Sequence, residues 1–256
     1  MSKLLLSKLV CFLENKCSQE IPRNLFIKRD ELLEPNCAEP IYDFDNGVAS
    51  SIQMKSFRGT CVAVRHYETD ITGQVKAVLS LPSHPCLPLV MGICCDYQPY
   101  LIVTKFYGIS RFGVMITLAA ALKGNNTRKI TTAHWLSILK DIAQGLLHMH
   151  MNGFCHGDLQ AYSIILHRKW ATSSILQPVF INLERATPSL NKDNSKAIAS
   201  DIKMFGCIVE SIRCMIDPVA CESLGAITEM MTKVPELSRL MTDIVVCLNN
   251  ICVQIH

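Results

Sequence analysis

The sequence predicts an α+β fold in two lobes, a small strand-rich one followed by a larger helical one, on three observations. Between residues 41 and 107 the apolar residues fall in short runs with β-branched members, as in Val48 to Met54 and Thr60 to His66, separated by turn signals. From residue 108 onward they recur at intervals of three and four, the helical period. With 256 residues, 49% of them hydrophobic and 18% charged, the chain can bury the core that such an arrangement needs.

The elements follow in order. Residues 1–40 are expected to hold an amphipathic helix and a connector. In the helix Leu5, Leu9 and Phe12, with Leu6, Val10 and Leu13, share one face and the pattern ends near Lys16. Lys8 interrupts the apolar run and no small-residue cleavage site follows, so it does not read as a signal peptide. Residues 17–40 are polar, with Pro22, Pro35 and Pro40 as breakers, and read as irregular. Strands are expected from Val48 to Met54, from Thr60 to His66 and from Tyr100 to Thr104. Beyond them Trp135, Ile138, Ile142, Leu146 and Met149 mark a long helix, which either Thr131 or Thr132 can cap.

Composition excludes several classes of function. A net charge of +3 without a basic stretch interleaved with aromatics argues against nucleic-acid binding. No run of eighteen apolar residues is present, so no membrane span is expected. The thirteen cysteines form no CxxC pair and no cluster with zinc spacing. They read as reduced, buried thiols of a cytoplasmic protein, and no metal site is expected.

Three segments then carry a resemblance. Gly59-Thr-Cys-Val-Ala-Val-Arg65 looks like a strand with a VAVK motif. Asp141 to His150, running on through Gly153-Phe-Cys-His-Gly-Asp-Leu159, looks like a helix leading into an HRDLxxxxN loop. Ser200-Asp-Ile-Lys-Met-Phe-Gly206 looks like the DxxSFG start of a helix. In this order they resemble the protein kinase family, its tyrosine-kinase and tyrosine-kinase-like branches in particular. Ser83 to Gly92 and Pro99 to Phe106 add weaker matches to the HPNIVxLxG turn and to the strand entering the hinge, and the closing segment from Glu236 to Asn250 a looser one. The resemblance implies a two-lobe kinase-like fold, with the N-lobe over residues 41–107 and the C-lobe over residues 108–256.

Phosphoryl transfer requires a phosphate-covering loop, a lysine, metal-binding side chains and a carboxylate near the acceptor hydroxyl. Carried over position by position, most of these are altered. The GxGxxG positions hold Asp45, Gly47 and Ser50, leaving one glycine. Arg65 stands at the lysine, and Gln74 and Val75 stand where its glutamate partner is expected. The catalytic loop keeps Asp158, has Gly157 for the arginine and Gln160 for a common lysine, and loses the metal-binding asparagine to Ser163. The DFG aspartate aligns with Asn182, a neutral amide where magnesium favours charged oxygen. A shift of register to Glu184 fails, because it would place Arg185 in the apolar position that Leu183 fits.

Only 18 residues separate Asn182 from Asp201, a shortened activation segment with no APE-like triplet to pair with Arg239. The apolar scaffold is retained: Ile52, Ala63 and Ile165 are expected to flank an adenine. Val78 or Leu79, Leu89, His156 and Leu183 are expected to stack between lobes, and Thr104 is the small residue before the hinge. The resemblance therefore implies a pseudokinase: a signalling module that binds or regulates a protein partner, an active kinase being one such partner. Nucleotide-binding positions are Gly47, Ile52, Ala63, Arg65, Thr104, Ser163, Ile165 and Asn182, with ATP bound weakly and without magnesium. Two alternatives stand beside it, a weakly active kinase using Arg65 and Asp158 and an ATP sensor without turnover.

Overall fold

A computed structural model describes residues 21–35, 42–43, 52–69, 71, 75, 78–108, 115–124, 130–168, 176–183, 186–188, 194–233 and 237–255. The expected N-terminal helix, Gly47 and the rest of the phosphate-covering loop, Gln74, Glu184 and Arg185 lie outside these residues, as does the side chain of Arg239.

The first lobe is an antiparallel sheet. Its strands are β1 (Leu32–Leu33), β3 (Ile52–Phe57), β4 (Thr60–Tyr67), β5 (Val90–Cys94) and β6 (Tyr100–Lys105), in the order β1-β3-β4-β6-β5; β2 (Tyr42–Asp43) lies elsewhere. Arg58 and Gly59, both at positive φ, make the two-residue turn that sends β3 into β4 with the twist a tight hairpin needs. Alternation sorts the β4 side chains. Val62 and Val64 are buried against Phe57, Leu101, Val103 and Ile27, while Ala63, Arg65 and Tyr67 face the other lobe.

Residues 21–31, expected as part of an irregular connector, instead form a strap along the outer edge of this sheet, and Leu32–Leu33 adds a strand. Phe26 bridges Ile93 in parallel and the Ile27 N–H donates to the Ile93 carbonyl at 3.0 Å, covering part of edge strand β5. Ile27 packs over Gly92, where a Cβ would come within 2.6 Å of its Cδ1. The Arg29 guanidinium donates to the Tyr97 and Pro99 carbonyls and lies 4.0 Å over the Tyr97 ring.

Helices dominate the second lobe. After β7 (Met115–Ile116), which pairs in parallel with β2, α1 (Leu118–Leu122) starts at Thr117, whose hydroxyl accepts from the Ala120 N–H at 3.1 Å. Of the two candidate caps for the long helix α2 (Thr132–Met151), Thr131 takes the role. The apolar face of α2 is wholly buried from Trp135 to Met149, mainly against α5 (Leu237–Ile255) and less against α3 (Asn194–Arg213), and α4 (Pro218–Lys233) packs on those two helices in turn. Short strands β8 (Phe154–Cys155) and β11 (Thr187–Pro188) pair with each other, and β9 (Ile164–Arg168) and β10 (Leu176–Phe180) form a hairpin. Helix α3 begins six residues before Ser200, so it absorbs part of the already short segment after Asn182. The last helix runs to Ile255 rather than Asn250.

The two lobes are clamped through the loop at residues 81–89. The Cys86 thiol donates to the Asp141 carbonyl at 3.1 Å, and the Phe180 N–H donates to the Cys86 carbonyl at 2.8 Å. Gly145 makes the approach possible, since a Cβ there would stand 2.8 Å from both Cys86 Cβ and Phe180 Cε2. Leu89 is the exception to the expected interlobe stack. It is 58% exposed, and Val90 takes the interior position instead, at the start of a strand whose pairing is irregular between Val90 and Gly92.

Candidate nucleotide cleft

Strand β4 delivers Ala63, Arg65 and Tyr67 to the upper wall of a cleft between the lobes; Ile165 and Ile181 to Leu183 form its floor. Thr104 sits at the back, and Ile52, Val75, Val78 and Val90 complete the apolar lining. Of the expected nucleotide contacts, Ile52, Ala63, Arg65, Thr104, Ile165 and Asn182 are thus brought together, and Ser163 is not among them. The free volume is about 90 Å³, well below the roughly 300–1,000 Å³ of a typical ligand pocket. Apolar groups take up the rest: Met54, Tyr107, Met115, Ile165 and Val179 form one buried cluster on which Ala63 and Ile181 pack.

Arg65 lines this cleft together with the aliphatic Val75. Its guanidinium lies 5.9 Å from the centroid of the Tyr67 ring, two residues on along the same face of β4. Asn182 holds a left-handed backbone, φ 62°, which asparagine tolerates better than most residues. It is 8% exposed, lines the cleft, and its amide oxygen has no hydrogen-bond partner among the described residues.

The catalytic loop is tied up internally. The Ser163 hydroxyl, fully buried in a 3-10 turn, accepts from the Gln160 N–H at 2.8 Å and donates to the Gln160 carbonyl at 2.8 Å. The Asp158 carboxylate accepts from the Gln160 amide at 3.3 Å and from the Tyr162 hydroxyl at 3.4 Å. What braces the loop from below is Asp201 on α3: its carboxylate accepts from the His156 N–H at 2.8 Å and the Gly157 N–H at 3.0 Å, and contacts His150 at 3.0 Å. Gly157 has φ 78°, a conformation costly for a residue with a Cβ. His150, Cys155 and Asp201 bring their ligand atoms within 4.8 Å of one another. Both Asp201 oxygens are already engaged by backbone and imidazole, so the cluster reads as a structural brace.

Two contacts here escaped the sequence reading: Tyr67 beside Arg65 and Tyr162 against Asp158. The alternation of β4 carries the first signal. Nothing short of the 3-10 turn carries the second.

The two positions that the kinase resemblance aligns with metal ligands hold a hydroxyl that bonds the Gln160 backbone and a neutral amide, neither of them the charged oxygen a hard dication favours.

An antiparallel sheet lobe, a helical lobe and an apolar cleft where they meet define a two-lobe protein-kinase-like domain. The chain belongs to the protein tyrosine and serine/threonine kinase family, whose pattern it matches over residues 47–175, just over half its length. Similarity to an individual member is modest: the human Tyrosine-protein kinase TXK is 29% identical over 99 residues. That match covers 39% of this chain and 17% of the human protein, so the chain spans a small part of that relative.

Proposed function

We propose that this kinase-family domain is a pseudokinase, a cytoplasmic signalling module that binds or allosterically regulates a protein partner rather than transferring phosphate. The observation that carries the reading is the Ser163 hydroxyl. Its proton and one of its two oxygen lone pairs are committed to Gln160, so the position aligned with a metal ligand holds a neutral, fully buried hydroxyl already bound within its own turn. Asn182, a neutral amide at the second position, takes a carboxylate away from the same reaction. The fold-supporting groups, by contrast, are buried and well packed, as expected where a surface rather than a reaction is what the domain supplies.

The test is incubation with labelled ATP and magnesium or manganese, with and without a generic acceptor protein. No incorporation is expected. Labelling that disappears in Asp158→Ala would replace this reading with that of a weakly active kinase.

A second reading, nucleotide sensing, is favoured by the cleft that brings the apolar Ile52, Ala63 and Ile165 together with Arg65. Any ATP binding is expected to be weak, since the free volume is small, and to survive chelation of divalent ions. A ligand at roughly ten times its Kd stabilises by about 1.4 kcal/mol, so millimolar ATP is expected to move the melting temperature little, equally with and without chelator. A large shift abolished by chelator would require a metal-binding carboxylate and would overturn the assignment at Ser163 and Asn182.

A further inference from the structure

A second hollow lies outside the cleft, behind the hinge. It is a groove of about 460 Å³, within the roughly 300–1,000 Å³ range of sites that hold a ligand or side chains. Leu81, Leu87 and Val179 lie buried along it, and the exposed Leu89 stands on its rim. Among the described residues, Lys105 is the one lining residue with a permanent charge, and no carboxylate lines the groove. An apolar hollow with an exposed leucine at its mouth calls for an apolar occupant.

The course of the chain supplies one. Ile21, the first described residue, is 4% exposed and packs in the same cluster as Leu79 and Val90, both of which also line the groove. Phe26 bridges Ile93 in parallel, so the chain upstream of Phe26 runs back along β5 toward Val90, the end of the strand that borders the groove. Twenty residues precede Ile21, and their apolar stripe is Leu5, Leu9 and Phe12. As a helix, residues 1–16 would measure about 24 Å at 1.5 Å per residue. The four residues that follow can span about 14 Å when extended. A segment of that reach can leave Ile21, whose cluster includes Leu79 and Val90 of the lining, and extend along the groove.

We infer that the groove between the residue 81–89 loop and the β9–β10 hairpin is the seat of the chain's own N-terminal segment, which places the Leu5, Leu9 and Phe12 stripe against Leu89 and its neighbours. The segment thereby becomes part of the domain's stability.

The experiment uses the full chain with p-benzoylphenylalanine at position 9, irradiated at low protein concentration and mapped by mass spectrometry. The expected cross-links join position 9 to residues 79–90 or 176–179 of the same chain. Cross-links within the chain to any other surface overturn the inference. So do cross-links only between chains, which would make a second copy the occupant, and the absence of any cross-link. In parallel, Leu9→Asp and Leu89→Asp are each expected to lower the melting temperature by several degrees, and the double variant to lower it no further than the worse single one. Additive losses would show that the two residues do not meet.

Discussion

Ser163 is tied by its hydroxyl into the turn that carries it. Within one turn its hydroxyl answers both the N–H and the carbonyl of Gln160, and a fully buried side chain with both hydrogen bonds made contributes to the fold. Ser163→Ala is therefore expected to cost about 1–3 kcal/mol, read as a lower urea midpoint. An unchanged midpoint would mean that the turn holds without the hydroxyl. The replacement itself was readable from its spacing after His156 and Asp158, as Asn182 was from Leu183 beside it. Its two hydrogen bonds were not, because they depend on the 3-10 turn bringing Gln160 back over residue 163. Leu89 failed for a related reason. Two neighbouring leucine-like residues compete for one interior position, and the irregular pairing between Val90 and Gly92 decides in favour of Val90.

Among the elements, the edge strap was the least visible in advance. Prolines at 22, 35 and 40 argue for irregular chain, and the strap is irregular, held by two short 3-10 turns and a bridge to a strand far along the sequence. Local pattern reports local structure, and the partner of Phe26 and Ile27 lies at Ile93. The sheet and the long helix were readable because alternation in β4 and the three-four spacing of α2 arise within one element. Close contact between strap and sheet makes a specific prediction. Gly92→Ala is expected to destabilise by about 1–3 kcal/mol through overpacking, because the new methyl meets Ile27. Ile27→Ala in the same chain should recover part of that loss, a comparison that equilibrium unfolding of the three variants provides. No recovery would place the strain in the backbone of β5 instead.

For the molecule as a whole, half-buried imidazoles are expected to shape the response to acid. Burial is the main cause holding His66, His84 and His167 below the ordinary histidine value, with Arg29 and Lys55 adding to it at His66, His148 at His84 and Lys105 at His167. A base depressed in the folded state binds its proton more readily once unfolded, so its contribution is intact above the unfolded value of 6.5 and is lost as pH falls below it. Asp141 opposes this, since burial raises its carboxyl and favours the folded state as pH falls. Three groups against one predict a lower urea midpoint at pH 5.5 than at pH 7.5, with a smaller drop in a His84→Gln, His167→Gln double variant. Equal midpoints at the two pH values would mean that the imidazoles titrate normally. The strap has a last consequence, in the order of synthesis. Phe26 and Ile27 leave the ribosome before the strand they cover, and at 5–20 residues per second the 66 residues from Ile27 to Ile93 take roughly 3–13 s to make. Through that interval the two apolar side chains have no sheet to lie on, which makes the opening of this chain a natural recognition point for chaperones that scan nascent polypeptides.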